Sequence, residues 1–182
     1  MKKQLFSAAF LTLAICFADA NDNMIANPDF LKTDAKGNPA SWGTYNNRIA
    51  PVKEPSGESR LGTTLSNQPY QNAGDWHAAF TQRLPELKPG KYELSFRYYG
   101  NLKALWVSVQ AKDADGKKVN ILGDWFLKSQ FKSDAKKTDC FKYYKSFPVP
   151  SGAKSIQFAV QGFGDKDSRF EISNPELYPQ ED

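Results

Sequence analysis

Alternation with a period of two constrains this chain more than any other feature. Tyr92, Leu94, Phe96 and Tyr98 alternate with Glu93, Ser95, Arg97 and Tyr99, and Leu105, Val107, Val109 and Ala111 alternate with Ala104, Trp106, Ser108 and Gln110. Successive side chains of a strand point to opposite faces, so each run predicts one strand with one buried face. Ile156, Phe158 and Val160 likewise point one way and Gln157, Ala159 and Gln161 the other, while Phe170 and Ile172 form the last inward pair. Weaker runs from Arg48 to Val52, Leu61 to Leu65 and Trp76 to Leu84 bring the count to about nine strands. Helical periodicity is scarce. The pattern predicts an all-β domain, a two-sheet antiparallel β-sandwich or jelly roll.

Turn residues punctuate the runs. Asp113 to Lys117, with Asp115-Gly116 at its centre, predicts a hairpin into a strand from Lys118 to Leu122. Leu87-Lys88-Pro89-Gly90 predicts a turn into the strand that begins near Tyr92, and Ser151-Gly152 follows the strand ending at Phe147 to Pro150. Lys128 to Asp139 reads as a polar, mobile connection. Neither an internal repeat nor a low-complexity linker suggests a second domain.

The first residues read as a signal peptide. Lys2 and Lys3 form a charged start, Leu5 to Phe17 is almost wholly apolar, and Ala18-Asp19-Ala20 places small residues where a signal peptidase reads. Residues 1–20 are therefore expected to leave, with a single mature domain over 21–182 beginning at Asn21. The apolar stretch, about 13 residues, falls short of the roughly 20 that span a membrane, and no later segment is long and apolar enough. Leu13-Ala14-Ile15-Cys16 loosely matches a lipobox, but Ile15 is bulky where a small residue should precede the modified cysteine. The expected location is secreted or periplasmic, with a signal of bacterial style.

Removing Lys2, Lys3 and Asp19 takes the formal charge from +4 to +3. The lysines are scattered among acids apart from a cluster between Lys132 and Lys137, which argues against a nucleic-acid or membrane surface. Cys140 is the lone cysteine of the mature chain, so no intrachain disulfide forms, and it reads as a small strand residue.

Three blocks together carry a resemblance. They are Met24-Ile25-Ala26-Asn27-Pro28-Asp29-Phe30 with Gly37-Asn38-Pro39-Ala40-Ser41-Trp42; Gln82 followed by Leu87 to Phe96; and Phe147 to Ile156 leading to Phe170-Glu171-Ile172-Ser173-Asn174-Pro175-Glu176-Leu177-Tyr178. In order and spacing the chain resembles carbohydrate-binding modules of the galactose-binding-like jelly-roll superfamily, the kind appended to cellulases and xylanases. The resemblance covers nearly all of the mature chain. It implies a structural calcium between the opening and closing strands, for which Asp29 and Glu171 are the candidates. Leu31 and Ser173-Asn174 depart from the acids common there, and calcium needs six to eight oxygens. No cofactor is otherwise required. Fold alone does not fix function, because the same superfamily includes adhesion and structural modules.

A catalytic reading finds little. His77 is the only histidine, and neither a Gly-x-Ser-x-Gly elbow, a His-Glu-x-x-His helix nor a phosphate-cradling glycine loop occurs. Gly162-Phe163-Gly164 lies between strands rather than at the start of a helix. Glu93, Asp124 and Glu171 are candidates for a glycosidase carboxylate pair, but nothing in the sequence makes any two converge.

Glycan binding asks for flat aromatic faces and a few amide, guanidinium or hydroxyl groups. Alternation puts Trp106, Gln110, Arg97, Tyr99, Gln157, Gln161 and His77 on non-core faces, where Lys, Glu and Thr are the ordinary choices. The expectation is one groove on one sheet, with Trp106 and Tyr99 stacking, Arg97, Gln110, Gln157, Gln161 and His77 bonding hydroxyls, and Trp125 as a further contact from a loop. The competing reading covers Trp106 and Tyr99 with the stretch around Trp125 and Phe126. Trp42 is expected to plug the sandwich edge. The leading functional expectation is a non-catalytic polysaccharide-binding module, working beside a separate glycosidase. The alternatives are an envelope structural or adhesion module that binds another protein, and a small glycoside hydrolase.

Overall fold

A computed structural model describes residues 23–44, 49–66, 75–130 and 140–180. The signal-peptide reading, the lipobox at Cys16 and most of the connection from Lys128 to Asp139 lie outside the described residues.

Among the described residues ten strands follow in order: β1 (Gly43–Thr44), β2 (Ala50–Lys53), β3 (Ser59–Thr64), β4 (Trp76–Arg83), β5 (Gly90–Gly100), β6 (Ala104–Lys112), β7 (Lys118–Leu127), β8 (Cys140–Val149), β9 (Lys154–Gly164) and β10 (Arg169–Pro179). They form two five-stranded antiparallel sheets, ordered β1-β4-β9-β6-β7 and β2-β3-β10-β5-β8, which is a two-sheet jelly-roll sandwich. The weaker runs all become strands, and the short β1 adds one to the expected number.

Connectivity decides which side chains share a face. Only β2-β3 and β6-β7 are hairpins between neighbours in sequence and sheet; every other step in the chain crosses from one sheet to the other. The β6-β7 hairpin turns at Asp113 to Lys117, where the Asp113 carboxylate accepts from the Asp115 and Lys117 amides and Gly116 adopts φ 78°. After the turn β7 runs on to Leu127, well past the expected end at Leu122, so Trp125 and Phe126 belong to a strand and not to a loop.

Inward faces interdigitate between the sheets. Phe80 of β4 stacks on Phe170 of β10 at 4.3 Å, and Phe96 of β5 on Tyr143 of β8 at 4.9 Å while also touching Phe158 of β9. Trp42 plugs the edge as expected: it is buried, packs edge-on against Phe30 and Phe158, and donates its indole N–H to the Asn27 carbonyl. The opening segment is tied down by side-chain amides. Gln82, buried on β4, exchanges two 2.8 Å hydrogen bonds with the backbone N–H and C=O of Ala26, and Asn23 bonds the backbone of Pro175 and Leu177 in β10. At the far edge, Asp124 of β7 points inward and accepts from the Tyr143 hydroxyl of β8 at 2.8 Å, with Lys145 beside it at 3.6 Å. Burial, then the hydrogen bond to Asp124 and its charge, raises the Tyr143 hydroxyl well above its ordinary pKa.

Candidate functional site

The registers of the first sheet arrange its outer face in rows that cross the strands. One row reads His77, Phe163, Ala104, Leu127; the next Ala79, Gln161, Trp106, Trp125; then Gly43, Thr81, Ala159, Ser108, Gly123; and then Arg83, Gln157, Gln110, Asn120. The third row contains only short side chains. It lies between rows of long ones, so the face has a trough whose floor includes the buried Ser108 and Ala159.

Aromatic rings make one wall. His77 stacks on Phe163 with centroids 6.2 Å apart and planes 21° apart, and Phe163 meets Trp125 at 5.0 Å across the short Ala104. Trp125 is 51% exposed, enough surface to offer a ring face to a ligand. Trp106, opposite Trp125, leans toward the floor, with its indole Nε1 at 3.8 Å from where a Cβ on Gly123 would stand. Among the described residues that N–H has no hydrogen-bond partner. Burial lowers the pKa of His77, which keeps the imidazole neutral near pH 7. Amides make the opposite wall, where the Gln110 side chain donates to Asn120 Oδ1 at 3.1 Å.

The structure therefore brings together Trp106, Gln110, Gln157, Gln161, His77 and Trp125. Arg97 and Tyr99 are elsewhere, on the outer face of the second sheet, which corrects the expectation of one groove holding all eight residues. The reason is connectivity: alternation gives the face of a strand but not its sheet, and β5 and β6 lie in different sheets.

On that second face Tyr99 is part of a polar lock. Its hydroxyl donates to Glu58 at 3.0 Å, and the Arg60 guanidinium lies over its ring at 3.5 Å. Glu58 also accepts from Ser173 at 2.8 Å and from Arg60 at 3.2 Å, with Arg97 at 3.6 Å. Burial pushes the Glu58 carboxyl up, but hydrogen bonds from Ser173, Tyr99 and Arg60 together outweigh it and hold the pKa below the ordinary value. Arg60 in turn bridges Glu54 and Glu171.

The calcium candidates do not fit that ion. Glu171 is held between Arg60 and Arg169, and exposed Asp29 accepts from the Leu31 amide in its own turn. The Asn27 amide donates to both the Lys32 and Ala40 carbonyls, leaving those oxygens satisfied without a cation. Among the described residues no group of three or more His, Cys, Asp or Glu is placed to hold a metal. The three carboxylates considered for catalysis also diverge: Glu93 meets Tyr144 and Gln180 on the second sheet's outer face, Asp124 points inward, and Glu171 is paired with arginines.

Phe163, Arg83, Asn120 and the floor residues Gly43, Thr81 and Gly123 are members of the face that sequence reading passed over, whereas Ser108 and Ala159 were read as outward without a role. Phe163 continues the period-two series of Gln157, Ala159 and Gln161, so the signal was present. The floor was not legible, because Ala, Ser and Gly acquire meaning only once register aligns them.

Several solved structures, carbohydrate-binding modules among them, share this sandwich architecture. A family 4 carbohydrate-binding module superposes with a TM-score of 0.58 at 15% identity, covering 86% of this chain and 99% of that one. The module TmCBM61, solved in complex with β-1,4-galactotriose, gives 0.54 at 16% identity over 87% of this chain and 99% of its own. The enzymatically active domain of bacteriophage CBA120 tailspike protein 4 gives 0.60 at 15% identity over 87% of this chain, which spans only 21% of that one. At these identities the likeness is one of fold. No family model matches the sequence, and comparison with curated proteins finds no relative.

Proposed function

We propose that this protein is an exported, non-catalytic glycan-binding module that holds a polysaccharide in the trough of the β1-β4-β9-β6-β7 sheet. The observation that carries the proposal is the floor of short side chains between an aromatic ridge and a wall of amides. A pyranose ring has an apolar face that stacks on an indole and equatorial hydroxyls that pair with amides, so the two walls match its two kinds of surface. The trough crosses five strands, four steps of about 4.8 Å, or roughly 19 Å, which accommodates more than one ring. Its rows contain no Asp or Glu among the described residues, which supports binding without hydrolysis. The signal-peptide reading of residues 1–20 supports export.

The test is a glycan array and insoluble-polysaccharide pull-down with protein starting at Asn21, comparing the unaltered chain with Trp106→Ala and Trp125→Ala. Affinity for the ligand found should fall at least tenfold in each variant, with thermal unfolding little changed. Full binding by two folded variants would exclude the trough. A second reading, an envelope module that binds another protein, is favoured by Trp125 and Leu127, both about half exposed and two residues apart at the end of β7. Silence across a broad glycan panel would support it.

A further inference from the structure

Beyond the amide wall the same face becomes cationic. Lys112 of β6 stands directly opposite Lys154 of β9 on one side and Lys118 of β7 on the other. Directly opposed side chains share a face with Cβ atoms about 5 Å apart, and like charges placed this way destabilise a sheet. Arg83 of β4 lies one row back, opposite Gln157. None of the four makes an ion pair with a described carboxylate, whereas Lys103 reaches both Asp75 and Asp165, and Arg60 reaches three glutamates.

Two acids close by in the chain do not neutralise this row. Asp113 turns its carboxylate into the hairpin, and Glu86 borders a depression of about 240 Å3 that it shares with Arg83 and Lys154. A second depression, about 80 Å3, opens between Gln110, Gln157, Lys112 and Lys118. The two meet at Ser155, whose φ of 51° marks the irregularity where β9 shifts register against β6. Four cations without an ion-pair partner among the described residues thus edge two adjoining hollows, at one border of the trough and on the side away from the aromatic ridge.

Resting on the glycan-binding reading, we propose that the ligand is an anionic polysaccharide, with carboxylate or sulfate substituents directed at the Arg83, Lys112, Lys118 and Lys154 border while its rings lie against Trp106 and Trp125. The repulsion among opposed lysines is relieved when an anion sits among them, so the same row that weakens the free sheet strengthens the complex. Lysine ammonium groups on flexible stems suit substituents repeated along a chain, where fixed bidentate geometry is not required.

The experiment measures binding to polygalacturonate and to its methyl-esterified, neutral form, and to a sulfated galactan and its desulfated form, at about 0.05 M and 0.5 M salt. Each is run with the unaltered protein, Lys112→Gln/Lys118→Gln/Lys154→Gln, and Trp106→Ala. The expected result is at least tenfold tighter binding to one charged member of a pair than to its neutral form, lost in the triple glutamine variant and at high salt. Which pair responds identifies carboxylate or sulfate. Equal affinity for charged and neutral forms, or an unaffected triple variant, overturns the proposal; if Trp106→Ala still abolishes binding, the trough reading stands without it. Equally tight binding to duplex DNA, insensitive to Trp106→Ala, overturns both and leaves a general polyanion surface.

Discussion

Tyr99 and Trp106 are seven residues apart and belong to opposite outer faces, so substituting each separates stability from binding. Tyr99→Phe removes a hydroxyl that donates to Glu58 at 3.0 Å and keeps the ring beneath Arg60. A hydrogen bond to a charged acceptor is worth about 1.5–3 kcal/mol, and because Glu58 retains Ser173 and Arg60 the lower end applies. Tyr99→Ala also removes a buried ring and its cation contact, for a total cost of about 5 kcal/mol. Trp106→Ala loses the cross-strand pairs with Trp125 and Gln161 and costs about 1 kcal/mol of stability. In urea, with a slope of about 2 kcal/mol per molar, Tyr99→Ala lowers the midpoint by roughly 2.5 M and Trp106→Ala by about 0.5 M. Glycan affinity follows the reverse order: unchanged in folded Tyr99→Phe and reduced at least tenfold in Trp106→Ala. Equal loss of affinity in Tyr99→Phe and Trp106→Ala, with both stably folded, would refute the division of the two faces.

Two further outcomes follow from other parts of the fold. Gln82→Leu should lower stability by about 1–3 kcal/mol in urea unfolding, because it leaves the part-buried Ala26 N–H and C=O without their side-chain partner. For His77 the folded pKa is below the ordinary 6.5, so the unfolded chain takes up its proton first as pH falls. Stability is complete above that value and declines below it, and the decline between about pH 7 and pH 5.5 should shrink in His77→Gln. The depressed Glu58 carboxyl acts in a separate window, below its ordinary 4.5, so the two effects are resolved by the pH at which the urea midpoint moves.

The fold was readable because period-two alternation survives at β5, β6 and β9 and because Asp115-Gly116 marks a tight turn. Both are local signals. Pairing of strands in space is not local: Trp106 and Tyr99 look alike in sequence, each outward on a half-buried strand, and only the crossover between β5 and β6 separates them. The same limit applies to Arg97, whose outward position lies on the second sheet beside Glu58. Trp125 was expected on a loop because its strand was cut short at Leu122; the register shift between Val109 and Gln110 helps explain why simple alternation fails along β7.

The inward carboxylate of Asp124 has a consequence for how these molecules coexist in solution. β7 and β8 are the ten-residue outermost strands of their sheets, and a long unpaired strand is a template onto which a neighbouring chain adds. Another copy joining β7 would need to accommodate a charge turned into the sandwich and already bonded to Tyr143, at a place where a growing sheet requires regular apolar pairing. The bond that joins two sheets in one molecule thus also opposes the merging of sheets from two molecules.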